Sequence, residues 1–134
     1  MDRLFVDTGA WVALVNRGDS LHEAVVAVLE AFNGRLVTSN YVVDESVTVC
    51  RFRLGHASAA RLGERLMTGT GVDQVRVTPD DERSAWALFL AREDKDYSFT
   101  DCTSFVLMRR LNIRRVAATD DDFRREGFDV VPAR

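Results

Sequence analysis

Four acids in this chain stand where short apolar runs end. Asp7 follows Arg3-Leu4-Phe5-Val6, and Asp120 follows Arg115-Val116-Ala117-Ala118 after one threonine. Glu45 lies about one turn into the segment that starts after Ser39, and Asp101 opens the apolar segment that begins at Ser98. In an open parallel sheet, ligands bind beyond the carboxyl ends of the strands, so these four side chains could meet at one sheet edge. Clustered carboxylates raise one another's pKa and repel, and a divalent cation relieves that conflict. Hard oxygen donors without paired His or Cys suit Mg²⁺ or Mn²⁺ rather than zinc. His22 and His56 have neither ligand spacing nor company and read as surface or turn residues. Asp101 alone also has a purely structural reading, because an acid in the first turn of a helix is favoured by the helix dipole. The other three acids turn the argument toward chemistry.

The elements that would position them follow from periodicity. Arg3–Val6 is a short buried strand bounded by Asp7-Thr8-Gly9. A helix then opens at Gly9 or the residue before it and runs to Val15, where Asn16-Arg17-Gly18-Asp19 breaks it. Ser20 is placed to cap the next helix, with Glu23 completing a capping box, and Asn33-Gly34 ends it. Leu36–Thr38 reads as a second strand, and the helix after Ser39 carries Tyr41, Val42, Glu45, Val49 and Phe52. Gly55-His56 interrupts it, and Ala57–Met67 continues with Leu62 and Leu66 inward. Val72–Thr78 alternates as a third strand. Pro79 starts a helix with Asp80, Asp81 and Glu82 in its first turn and Trp86, Phe89 and Leu90 as its apolar stripe. The next helix is expected to be capped by Thr100 and to bury Phe105, Met108 and Leu111. Arg115–Ala118 is a fourth strand, Thr119–Phe123 an acidic turn, and Phe128–Val131 a last edge strand. Alternating strands and helices imply an α/β fold, a three-layer α/β/α sandwich with a mainly parallel central sheet.

The bounds are ordinary for one globular domain over residues 1–134: 46% hydrophobic and 29% charged. No apolar run is long enough to span a bilayer, charges interrupt the N-terminus at once, and no signal peptide or membrane association is expected. Cys50 and Cys102 form no CxxC pair and read as reduced thiols, which fits a cytoplasmic protein. The net charge of −3 argues against a protein that coats DNA by global charge. Of the 18 cations only Lys95 is a lysine. Arginine grips phosphate in a fork, although an arginine-rich codon bias gives the same composition. Arginines flank every acid but the first: Arg51 and Arg53, Arg109 and Arg110, Arg114 and Arg115, Arg124 and Arg125. A basic rim of this kind can steer a polyanion despite a negative total charge.

Four segments, Phe5-Val6-Asp7-Thr8-Gly9-Ala10-Trp11, Asp44-Glu45-Ser46, Ser98-Phe99-Thr100-Asp101-Cys102-Thr103-Ser104-Phe105 and Thr119-Asp120-Asp121-Asp122-Phe123, occur in this order. Together they resemble the PIN-domain family, and within it the VapC-type ribonuclease toxins of type II toxin–antitoxin modules. The resemblance covers nearly the whole chain, and the third segment is its most specific part. It implies a nuclease that uses Mg²⁺ or Mn²⁺ to hydrolyse RNA phosphodiester bonds, leaving a 5′-phosphate and a 3′-hydroxyl. The family's acids match Asp7, Glu45, Asp101 and Asp120. Metal would be held by Asp7, Asp101 and Asp120, with Glu45 binding a second metal or orienting the water. Thr8 and Thr100 match small hydroxyl positions beside the first and third acids. Asp121 and Asp122 stand where the family more often shows a basic residue or His; Asp122 is either an outer acid of the site or a surface substitution. The resemblance further implies a homodimer and a cognate antitoxin protein that blocks the site.

Three rivals are weaker. A phospho-acceptor receiver domain needs two adjacent early acids and a late lysine, but Asp2 and Asp7 are separated by a strand and no lysine follows Lys95. An aspartyl phosphatase needs a second acid two positions after the first, where this chain has Gly9. An inactive PIN-like module that binds RNA or a partner is opposed by the intact acid quartet.

Overall fold

The computed structural model describes residues 2–133; Met1 and Arg134, the ends of the expected domain, lie outside them. Five strands form one sheet: β1 (Arg3–Val6), β2 (Arg35–Ser39), β3 (Val72–Val75), β4 (Arg115–Ala117) and β5 (Asp129–Val131). Their order is β3-β2-β1-β4-β5, and every pairing is parallel. Leu4, Phe5 and Val6 are fully buried, as expected for a central strand covered on both faces. Phe5 sits in register with Val37 on one side and Val116 on the other.

Helices α1 (Thr8–Val15) and α2 (His22–Ala31) connect β1 to β2, and α3 (Asn40–Leu54) and α4 (His56–Thr68) connect β2 to β3. Helices α5 (Pro79–Ala91) and α6 (Phe99–Arg110) lead back to β4, and the short α7 (Asp122–Arg125) leads on to β5. The chain steps outward from β1 to β3, then crosses back to place β4 on the other side of β1. That reversal makes a topological switch point between the carboxyl ends of β1 and β4. Trp11 ties α1 to this edge: its Nε1 donates to Thr38 Oγ1 at 3.2 Å, and that hydroxyl donates to the Val6 carbonyl at 3.2 Å.

Several local expectations need correction. No side chain caps α2; Asp19 accepts from the Leu21 amide at 2.8 Å, so an aspartate turn, not Ser20 with Glu23, sets the helix start. The third strand stops at Val75 because the Val77 amide leaves the ladder and donates to Asn40 Oδ1 at 2.8 Å. The expected stripe of α5 faces outward: Trp86, Phe89 and Leu90 are exposed, while Asp81 and Ala85 are buried. The reason is an ion pair. Asp81 takes both forks of Arg110 at 2.8 Å each and so turns its own side of α5 toward α6. Phe52 on α3 is exposed as well. Leu62 and Leu66 of α4 are buried as expected, and so are Phe105 and Met108 of α6. Both cysteines are buried free thiols.

One aromatic cluster fixes the far end of the chain against α6. Phe105 meets Phe123 edge-on at 4.9 Å and Tyr97 edge-on at 5.0 Å, and stacks with Phe128 at 5.9 Å. Such pairs add about 0.5–1.5 kcal/mol each beyond the area they bury. Beside them the Glu126 carboxylate, 4% exposed, accepts from Arg92 at 2.9 Å, Tyr97 at 3.0 Å and Arg109 at 3.2 Å. Burial alone would push this acid up, but the three donors win and hold it below the ordinary glutamate range. Phe123 and Glu126 thereby fix both ends of α7, directly after Asp120.

Candidate metal-dependent active site

The switch point is lined by Asp7, Glu45, Asp101 and Asp120 around a cavity of about 300 Å³. Asp7 leaves β1 still paired with β4, its amide donating to the Ala117 carbonyl at 3.0 Å. Its own carbonyl accepts from Ala10 and Trp11 at 3.1 Å each and so starts α1. The next turn approaches the β4 loop closely. A Cβ on Gly9 would stand 2.1 Å from Thr119 Oγ1, so only glycine allows this contact at the floor of the site.

Asp7 is 5% exposed, and its Oδ1 is buried with no hydrogen-bond partner. Burial pushes its carboxyl well above the ordinary aspartate value, and Asp101, Glu45 and Asp120 add to the shift. Burial also pushes Asp101 up to about 6, reinforced by Asp122, Asp120 and Glu45 against the pull of the Ser98 amide. An orphaned carboxylate oxygen inside a ring of acids is costly unless a cation completes it.

Asp101 is anchored by a capping box. Its Oδ2 accepts from the Ser98 amide at 3.0 Å, while Ser98 Oγ accepts from the Asp101 amide at 3.0 Å. The cap of α6 is therefore Ser98, two residues before the expected Thr100. The first and third positions of Ser-Phe-Thr-Asp satisfy different needs: Ser98 closes the box because Asp101 stands three residues on. Thr100 does not line the cavity; its carbonyl accepts from Thr103 Oγ1 at 2.6 Å. Thr8 does line it, 8% exposed, and its hydroxyl accepts from Ser46 Oγ at 3.3 Å. Asp120 is exposed, with Oδ1 accepting from the Asp122 amide at 3.0 Å. Asp122 lies outside the lining and pairs with Arg125 at 2.9 Å, yet it is close enough to raise Asp101.

The donor set fits a hard divalent cation. It offers carboxylate oxygens and threonine and serine hydroxyls, with no sulfur or imidazole. Among the described residues, no group of three or more His, Cys, Asp or Glu is closed up tightly enough to hold a metal as it stands. The two hollows above 350 Å³ lack this chemistry. One, of about 380 Å³, lies at the amino ends of the strands with Arg3, Arg114 and Arg115. The other, of about 440 Å³, is an apolar groove between α3 and α4.

The sequence reading missed the roles of two residues near the acids: Ser98 pins Asp101, and Ser46 holds Thr8. The spacing Ser-x-x-Asp was a usable signal for the first; the second depends on how α1 and α3 pack. Arg53, expected in the basic rim, enters the cavity two turns beyond Glu45. The expected basic rim is reduced. Arg114 and Arg115 stand at the amino end of β4, on the opposite edge from the acids.

Residues 4–128 match the PIN domain family. The chain is 38% identical over 126 residues to the protein named 23S rRNA-specific endonuclease VapC20 of Mycobacterium tuberculosis, covering 93% of this chain and 95% of that one. It is 29% identical over 118 residues to a VapC ribonuclease of Archaeoglobus fulgidus, covering 84% and 74%. The crystal structure of the mycobacterial VapC20, described as a sarcin–ricin loop cleaving toxin, superimposes with a TM-score of 0.89 at 35% identity over 93% of this chain and 95% of that chain. A toxin–antitoxin complex from Klebsiella pneumoniae shares the fold, with a TM-score of 0.66 at 13% identity over 96% and 95%.

Proposed function

Since this chain belongs to the PIN-domain family, we propose that it is a metal-dependent endoribonuclease and the toxin of a toxin–antitoxin pair. The observation that carries the reading is the buried, partnerless Oδ1 of Asp7 in a ring of three further acids at the switch point. The whole chain acts as one nuclease domain. Its substrate is RNA, and the similarity to endoribonucleases along nearly the full length supports that class.

Asp7, Asp101 and Asp120 would hold the cation, Mg²⁺ or Mn²⁺, with Glu45 at a second metal position or on the attacking water. The bound cation supplies charge neutralisation and a water acidic enough to attack a phosphodiester. The chain supplies the rest. Ser98 fixes the rotamer of Asp101, so one of its oxygens stays turned into the cavity. Ser46 donates to Thr8, which leaves the threonine proton free to orient a water beside Asp7. Burial of Asp7 lowers the local dielectric and strengthens its hold on positive charge.

Partners follow the same reading: a cognate antitoxin and a second copy of the chain. Two exposed apolar faces are available for such contacts, Trp86, Phe89 and Leu90 on α5, and Phe52 and Met67 beside the α3–α4 groove. Among the described residues no helix is long and apolar enough to cross a membrane, and we place the activity in the cytoplasm, where RNA is available.

The test is cleavage of a mixed cellular RNA pool by partner-free protein with Mg²⁺, Mn²⁺ or EDTA, beside Asp7→Asn and Asp101→Asn. Discrete fragments that need the metal and both aspartates are expected. Undiminished cleavage by a well-purified double variant would refute the site.

A further inference from the structure

An acidic pocket must still admit a polyanion, and the question is which cation receives it. Of the eight arginines that flank the acids in sequence, the structure disposes of seven. Arg110 is committed to Asp81 through both forks, and Arg109 to Glu126 and its carbonyl. Arg124 and Arg125 of α7 pair back onto Asp121 and Asp122, and neither lines the cavity. Arg114 and Arg115 sit on the opposite edge of the sheet. Arg51 turns into the apolar groove between α3 and α4. Arg53 alone lines the cavity of the acids; it is exposed and makes no ion pair among the described residues.

We propose that Arg53 is the phosphate anchor of the site, its guanidinium gripping a backbone phosphate of the RNA strand next to the one cleaved. This rests on the nuclease reading above. The geometry of α3 supports the placement. Glu45, Val49 and Arg53 follow at intervals of four and all reach the same cavity. Eight residues of helix put Arg53 about 12 Å along the axis from Glu45. From there the side chain addresses a neighbouring phosphate, leaving the scissile one to the acids and their cation. A planar guanidinium meets phosphate oxygens in two parallel hydrogen bonds, which fixes the register of the strand as well as its charge.

A plain structural role exists for a cation here, because Arg51 and Arg53 both lie in the last turn of α3, where positive charge complements the helix dipole. That role treats the two alike. Phosphate anchoring separates them, since only Arg53 shares a cavity with the acids. Arg51 is thus an internal control on the same turn of the same helix.

The experiment is steady-state cleavage of one RNA fragment from the pool assay by wild type, Arg53→Gln, Arg53→Lys and Arg51→Gln, at several salt concentrations. Melting curves verify folding of each. The expected result for Arg53→Gln is a KM raised about tenfold or more, kcat changed much less, and a salt dependence of log kcat/KM shallower by about 0.7. Arg53→Lys falls between, because it keeps the charge and loses the fork. Arg51→Gln matches wild type. If Arg53→Gln stays within about twofold of wild type in kcat/KM with an unchanged salt slope, the anchor is refuted and the nuclease reading stands. Equal losses in Arg51→Gln and Arg53→Gln, or a loss in kcat alone, also refute it. Should wild type cleave no RNA with any metal, the nuclease reading falls and this inference falls with it.

Discussion

Asp101 concentrates the chemistry of the site in one side chain. One oxygen is spent on the Ser98 amide, and burial among acids pushes the group up to about 6. The unfolded chain would lose that proton near 3.8, so the metal-free folded state binds more protons than the unfolded one across the interval. Its stability therefore falls as pH rises from about 4 through about 6, and Asp7 pulls in the same direction. Asp81 and Glu126 are held below their ordinary values, so their stabilisation is complete above those values and fades only in stronger acid. In EDTA, melting temperature is expected to rise from about pH 7.5 to about pH 5.5. Asp101→Asn should flatten that rise, melt higher than wild type near pH 7.5, and lose most of the stabilisation by Mn²⁺. A steeper fall in stability toward pH 5.5 would contradict the assignment. The cap makes a second test. Ser98→Ala should cost about 1 kcal/mol in a thermal melt, and reduce cleavage more than Thr100→Ala, because the lost hydroxyl holds the Asp101 amide at the helix start, while the carboxylate keeps the backbone amide of residue 98. The acid itself was legible in the sequence. Its cap was misread because Ser98 and Thr100 are both good caps, and the deciding partner was the acid three residues on.

At the scale of elements, α7 and α5 show what pattern reading finds and misses. Four strands were visible as short apolar runs, while β3 was visible by alternation and ends at Val75, three residues before the expected boundary. The inward face of α5 was not, because it is built from Asp81 and Ala85, while the large apolar residues of that helix look outward. Hydropathy marks a stripe but cannot tell a core from an exposed face, and here an Arg110–Asp81 pair overrides it. The Glu126 clamp was equally invisible, since Arg92, Tyr97 and Arg109 converge on it from distant parts of the chain. It joins the end of α5, the approach to α6 and α6 itself to the helix that follows Asp120. Glu126→Gln should destabilise the protein by about 2 kcal/mol, several degrees in melting temperature, by removing charge that three donors require. It should also reduce cleavage beyond the loss in stability, because the Asp120 turn would lose its far anchor. Thermal melts and cleavage measured well below the melting point separate the two effects.

For the whole molecule, charge is sorted in space, so the proposed RNA substrate depends on the cation held by the acids and on Arg53. The acids gather at the carboxyl edge of the sheet, while Arg3, Arg114 and Arg115 gather at the other. The parallel sheet was legible from alternating strands and helices, and the convergence of acids from the rule that strand ends carry the site. The order β3-β2-β1-β4-β5 was not, because strand neighbours are chosen by packing of helices over the sheet and not by any local signal. That order is what sets Asp7 beside Asp120. The most direct test of the whole account is the chemistry of the ends left on a cleaved RNA by partner-free protein in Mg²⁺. Carboxylates that hold a metal and hydrolyse with water predict 5′-phosphate and 3′-hydroxyl ends, and no cut in EDTA. Cleavage that survives EDTA and leaves 5′-hydroxyl and cyclic phosphate ends would contradict it, since that result assigns the attack to the ribose hydroxyl and leaves the acids of the switch point without a role.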